Sequence, residues 1–122
     1  MTSPLIVEWM GPSLNRVYAG VHWSQRDEWA NDGHFAVIAA VRKAKIKPID
    51  HPVHLTFTPM IKGRRYDPSN YALSAKIIED GLVREGIIKG DSLKYIWRFS
   101  IDAPIHTKQQ SYMVVKLEEV MT

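Results

Sequence analysis

Arg64-Arg65-Tyr66-Asp67-Pro68-Ser69-Asn70 decides how the rest of this chain is read, together with the segment running on to Gly90-Asp91-Ser92. Two arginines, an acid and a proline stand directly before a run with helical spacing. Asp67 can cap that helix, and Pro68 suits a first helical position, where the missing N–H costs nothing. Tyr71, Ala75, Ile78 and Leu82 recur at spacings of four, three and four, one apolar face of a helix that reaches to about Glu85. Ser69, Lys76 and Asp80 share another stripe, because seven and eleven residues are close to whole turns. Gly86 closes the helix, and Ile87-Ile88-Lys89-Gly90-Asp91 makes a short exposed turn. Acids at the two ends of one helix–loop unit can converge on a site although they lie far apart in sequence.

Upstream, Val53, Leu55 and Phe57 alternate with His54, Thr56 and Thr58, the period of a half-buried strand, with Pro59 at its end. Met60 to Arg65 then leads into the central stretch. From Ser24 to about Lys45 the spacing is helical: Phe35, Ile38, Ala39 and Arg42 follow it, Ser24 is the expected cap, and Asp32-Gly33 is a point of interruption or division. Leu5 to Met10 reads as a strand stopped by Gly11-Pro12, and Ser13 to Tyr18 as a surface loop whose Asn15, Arg16 and Tyr18 can reach phosphate or sugar. Trp23 and Trp29 read as core or interface. Downstream, Tyr95 to Ile101 and Ser111 to Leu117 read as two strands joined by a loop containing Pro104. The order β-α-β-α-β-β predicts an α/β (α+β) domain spanning 1–122, a mixed sheet with helices packed on it.

The totals bound the function class. At 122 residues, 45% hydrophobic and 24% charged, the chain has the length and composition of one globular domain. No apolar run approaches the roughly 20 residues of a membrane span, and Met1-Thr2-Ser3-Pro4 lacks the features of a signal peptide. The absence of cysteine excludes disulfides and thiolate metal sites, which fits a cytoplasmic setting. His51 and His54, three apart, point to opposite faces of a strand and do not share a metal. There is no nucleotide-binding glycine loop, zinc helix motif or serine-nucleophile elbow, so no nucleotide cofactor is expected. A net charge of +3 is mildly basic, and the basic residues cluster: Arg42, Lys43, Lys45 and Lys47 in one run, Lys62, Arg64 and Arg65 in another. An anionic partner fits that distribution, as does a solvated surface.

Phosphodiester hydrolysis with a hard metal ion needs clustered carboxylate oxygens. Asp67 and Asp91 are the natural ligands, with Asp80 or Glu79 as extras. Lys76 can bind the scissile phosphate or stabilise transition-state charge, and Arg64 and Arg65 can hold the backbone. The plainer account makes Asp67 a helix cap, Lys76–Asp80 a surface ion pair worth a few tenths of a kcal/mol, and Asp91 a turn residue.

Taken in order, these residues resemble the RusA-type Holliday junction resolvase family, common in phages and prophages. Its pattern is a basic pair, Asp-x-Asp-Asn, a helix bearing a lysine and a later Asp, then a Gly-containing segment and an Asp-Asp pair. Here that reads Arg64-Arg65-Tyr66-Asp67-Pro68-Ser69-Asn70, Lys76, Asp80-Gly81-Leu82-Val83, Gly86 and Gly90-Asp91-Ser92. Gly11, Asn15 and Tyr18 sit where family members carry a similar loop. The resemblance implies a homodimer in a bacterial or phage-infected cytoplasm, binding four-way junctions or other branched DNA in recombination and repair. It implies Mg²⁺, with Mn²⁺ as substitute, held by Asp67, Asp91 and Asp80. Asp67, Asp91, Lys76 and Ser69 would form the catalytic set, and Arg16, Arg64, Arg65 and Asn70 would bind DNA.

Two positions depart from the pattern. Ser69 stands where the second acid of Asp-x-Asp belongs, and Gly90 where the first of the Asp-Asp pair belongs. A serine hydroxyl is neutral and a weak Mg²⁺ ligand. Asp80 or Glu79 can compensate; the alternative is a branched-DNA-binding protein of the same fold with weakened or absent cleavage.

Overall fold

The computed structural model describes residues 4–18, 20 and 23–121, apart from the side chains of Tyr18, Trp23 and Ser24. The expected Tyr18 contact, the Trp23 packing, the Ser24 cap and the reading of Met1 to Ser3 lie outside the described residues. The fold is α+β: β1 (Leu5–Val7), α1 (Leu14–Tyr18), α2 (Trp23–Ala44), β2 (Val53–Ile61), a 3-10 turn (Pro68–Tyr71), α3 (Ala72–Arg84), β3 (Ile96–Ile101), β4 (Ile105–His106) and β5 (Tyr112–Glu119). The strands form one mixed sheet in the order β1-β5-β2-β3, with β4 also pairing with β2. Pairs β1–β5 and β2–β5 are antiparallel, while β2–β3 and β2–β4 are parallel. A parallel neighbour requires a crossover, and the 3-10 turn with α3 supplies it between β2 and β3.

β2 is the centre of the sheet. Its odd-numbered residues, Val53 to Ile61, are buried along the whole strand, and the core lies between that face and helices α2 and α3. The strand does not stop at Pro59 as the sequence suggests. Phe57 O accepts from Asp102 N–H at 2.8 Å and Ile61 O from Thr107 N–H at 3.0 Å, so the odd residues address the β3/β4 side. Ladder partners there end at Phe57–Ile101 and resume at Met60–Ile105. Pro59 falls in that interval, where no N–H is called for. The loop holding Pro104 is accordingly a break within one edge, with β3 and β4 on either side of it.

Helix α2 runs unbroken through Asp32-Gly33, where an interruption was expected. The cause is packing against α3: a Cβ added at Gly33 would stand 2.5 Å from Ile77 Cγ2. Glycine is thus the residue that lets the two helices approach. Residues Leu14–Tyr18 form the short helix α1 rather than a loop, begun by Ser13, whose carbonyl accepts from Val17 N–H at 3.2 Å. Among the described residues no helix is long and apolar enough to cross a membrane.

Candidate active-site groove

The residues before α3 are held by its first turns. Tyr71, 4% exposed, accepts the Tyr66 N–H on its Oη at 3.0 Å, and Ser74 Oγ accepts the Gly11 N–H at 2.9 Å. One buried helix start thereby anchors both the arginine stretch and the Gly11 loop. Asp67 occupies the cap position of the 3-10 turn with extended backbone, but its side chain makes no capping bond; only its carbonyl does, accepting from Asn70 N–H at 2.9 Å. Asp67, Ser69, Arg64 and Arg65 are exposed and Asn70 half-buried. The Arg64 guanidinium lies 5.4 Å from the Tyr66 ring centre, and Arg16 lies 6.0 Å from that of Trp29.

One turn further along α3 the charges converge. Lys76 Nζ is 2.6 Å from Glu79 Oε1, 3.3 Å from Asp80 Oδ1 and 3.3 Å from Asp91 Oδ2. Glu79 and Asp80 belong to α3, and Asp91 to the loop beyond it. Ligand oxygens of these three acids lie within 4.8 Å of one another. Asp67 is not a member of that group. Two of the three acids expected at a metal, Asp80 and Asp91, are therefore brought together, with Glu79 as the third.

Burial sets the energetics. Glu79 is 5% exposed, and an ionised carboxylate at such a position requires a close cation. Lys76 supplies it, its own pKa held well above the ordinary lysine value, chiefly by the hydrogen bond to Glu79 and further by Asp91 and Asp80, against partial desolvation. The ammonium is thus locked in its charged form, unfit as a general base but suited to an anionic ligand.

Glycine at position 90 also has a packing reason. A Cβ there would stand 3.0 Å from Tyr95 Cδ2, so a side chain at this position requires that ring to give by a few tenths of an ångström.

Lys76, Glu79 and Asp91 open onto a groove of about 480 Å³ whose other residues include Leu93, Trp97, Arg98 and Phe99. The aromatic wall was not read from the sequence, because its placement depends on a fault in the β3 ladder. Ile96 and Arg98 pair with the consecutive residues Val53 and His54, leaving Trp97 as an extra, bulged residue. The bulge reverses the alternation, so Phe99 and Ile101, paired with Leu55 and Phe57, share the face of Ile96. The Phe99 and Phe57 ring centres are 4.9 Å apart.

His54 lies 3.8 Å from Glu118, while His51 precedes the strand. The three acids are the one group of such residues, among those described, close enough to hold a metal ion. No protein-family model matches this chain, and no curated protein matches it.

Proposed function

We propose that this protein is a RusA-like, Mg²⁺-dependent endonuclease that cuts four-way junctions or other branched DNA, acting as a homodimer in a bacterial or phage-infected cell. The observation that carries this reading is the convergence of Glu79, Asp80 and Asp91 around Lys76 at the mouth of an open groove. Three carboxylates with no nitrogen or sulfur donor suit a hard cation such as Mg²⁺ or Mn²⁺. Bound there, such an ion would supply an activated water and offset charge on the scissile phosphate. The reaction is attack of a water oxygen on phosphorus with breakage of one P–O ester bond.

The chain's own residues bind and orient. Lys76, permanently charged, takes a phosphate oxygen and stabilises the charge that develops on it. Arg64 and Arg65, exposed ahead of α3, together with Arg16 and Asn70, hold the backbone on either side. Asp67 keeps the role the resemblance implies, as an acid of the catalytic set contributed from the turn, with Ser69 beside it.

A binding-only reading is favoured by one observation: the acids already have a cation, because Lys76 Nζ sits among all three. Incubating a labelled synthetic four-way junction with the protein and Mg²⁺ or Mn²⁺ decides between them. Symmetric nicks, lost in Asp91→Asn while binding persists, support the nuclease. Tight, salt-sensitive binding without nicks at any metal concentration supports the binder, and cleavage gained in Ser69→Asp would mark a lost ligand. Absence of DNA binding at low salt would defeat both readings.

A further inference from the structure

We propose that Trp97 and Phe99 form a stacking wall for an unpaired nucleobase of the bound DNA, with Lys76 taking the adjoining phosphate. The inference rests on the branched-DNA reading and names which part of the substrate this groove takes.

Three observations carry it. First, the wall and the acids belong to one groove, Trp97, Arg98 and Phe99 lining it together with Lys76, Glu79 and Asp91. Trp97 is 47% exposed and Phe99 39%, so aromatic area is held open beside the charged cluster. Second, the bulge is what puts them there. Without the extra residue, regular alternation would turn Phe99 to the face opposite Ile96, away from α3. Third, the groove pairs flat apolar surface with one cation, the Lys76 ammonium. A nucleotide matches both parts, its base offering a π-face and its phosphate an anion.

A second copy of this chain is the competing occupant, since β3 is the end of the sheet. The bulge counts against it: an extra residue interrupts the regular row of donors and acceptors that strand-to-strand pairing needs. Paired duplex is disfavoured too, because its bases are stacked on one another and present no free face.

The test uses the full chain with Ca²⁺ in place of Mg²⁺, and fluorescein-labelled DNA read by anisotropy. The probes are a four-way junction with unpaired thymines at the crossover, the same junction fully paired, and a linear duplex. The wild type is expected to prefer the unpaired probe. Trp97→Leu should lose about tenfold in affinity for it, with duplex affinity unchanged, whereas Trp97→Tyr should retain the preference. Quenching of tryptophan emission by the unpaired probe should be smaller in Trp97→Phe than in the wild type. Equal binding of the unpaired probe by wild type and Trp97→Leu, both folded by circular dichroism, overturns the proposal and leaves the DNA reading standing. Conversion of a wild-type dimer to a monomer by Trp97→Leu would assign the wall to a second copy and also overturn it. No binding of any probe by the wild type at low salt removes the DNA reading itself, and the stacking wall with it.

Discussion

Lys76 Nζ stands 2.6 Å from Oε1 of Glu79, a residue 5% exposed, and this pair is the pivot of the charged groove. The lysine end is half in water and the glutamate end is not, so the two partners are not equivalent. Removing the cation strands a buried charge, whereas removing the acid frees an exposed ammonium.

Lys76→Met is therefore expected to destabilise the fold by roughly 1–3 kcal/mol, seen as a lower urea midpoint. Glu79→Gln in the same background should restore much of the loss, because a neutral amide needs no cation. Additive losses in the double variant would show that the pair is not coupled.

The same geometry places the ammonium in competition with any cation for the three carboxylates. Titration calorimetry with Mn²⁺ should show tighter binding to Lys76→Gln than to the wild type, and loss of binding in Asp91→Asn. Weaker binding to Lys76→Gln would mean that the lysine assists the metal site.

His34 carries a pH signature. Its Nδ1 lies 2.9 Å from Arg84 Nη1; with the guanidinium as donor, Nδ1 accepts, and the proton sits on Nε2, which is buried with no hydrogen-bond partner. Burial, then repulsion from Arg84, lowers its pKa below the usual 6.5, against attraction from Asp80. The unfolded chain takes up the proton first as pH falls. His34's contribution to stability is therefore complete above about pH 6.5 and declines as pH drops through 6.5 toward the lowered native value. His34→Gln keeps an acceptor for Arg84 but does not titrate. Urea midpoints from pH 7.5 to 5, on the order of the range His residues cover, should fall less in this variant than in the wild type.

Gly33 offers a test of sign. In an exposed helix Gly→Ala stabilises by about 1 kcal/mol, but here the new methyl meets Ile77 Cγ2 at 2.5 Å. Overpacking costs roughly 1–3 kcal/mol, so Gly33→Ala should lower the melting temperature. Gly33→Ala combined with Ile77→Val should recover part of the loss. A rise in the single variant would show that α2 and α3 separate easily.

What the sequence by itself determined were features set by near neighbours along the chain. The alternation from Val53 to Phe57, the apolar face of Tyr71, Ala75, Ile78 and Leu82, the Pro68 start and the Gly86 stop each follow from a local period or a backbone preference. The Lys76–Asp80 contact was legible for the same reason, since one helical turn brings the two together. Tertiary structure decided the rest. Pro59 continues β2 because the neighbouring edge is broken opposite it, and Gly33 continues α2 because Ile77 fills the space a side chain would take. Glu79, named beforehand only as an extra acid, is buried among the charges because α3 packs on the sheet, and Asp91 reaches Lys76 only through the loop that follows. The aromatic wall depends on one surplus residue in β3. Such a fault changes which face every later side chain takes, and it exists only as a register between strands that lie about forty residues apart along the chain.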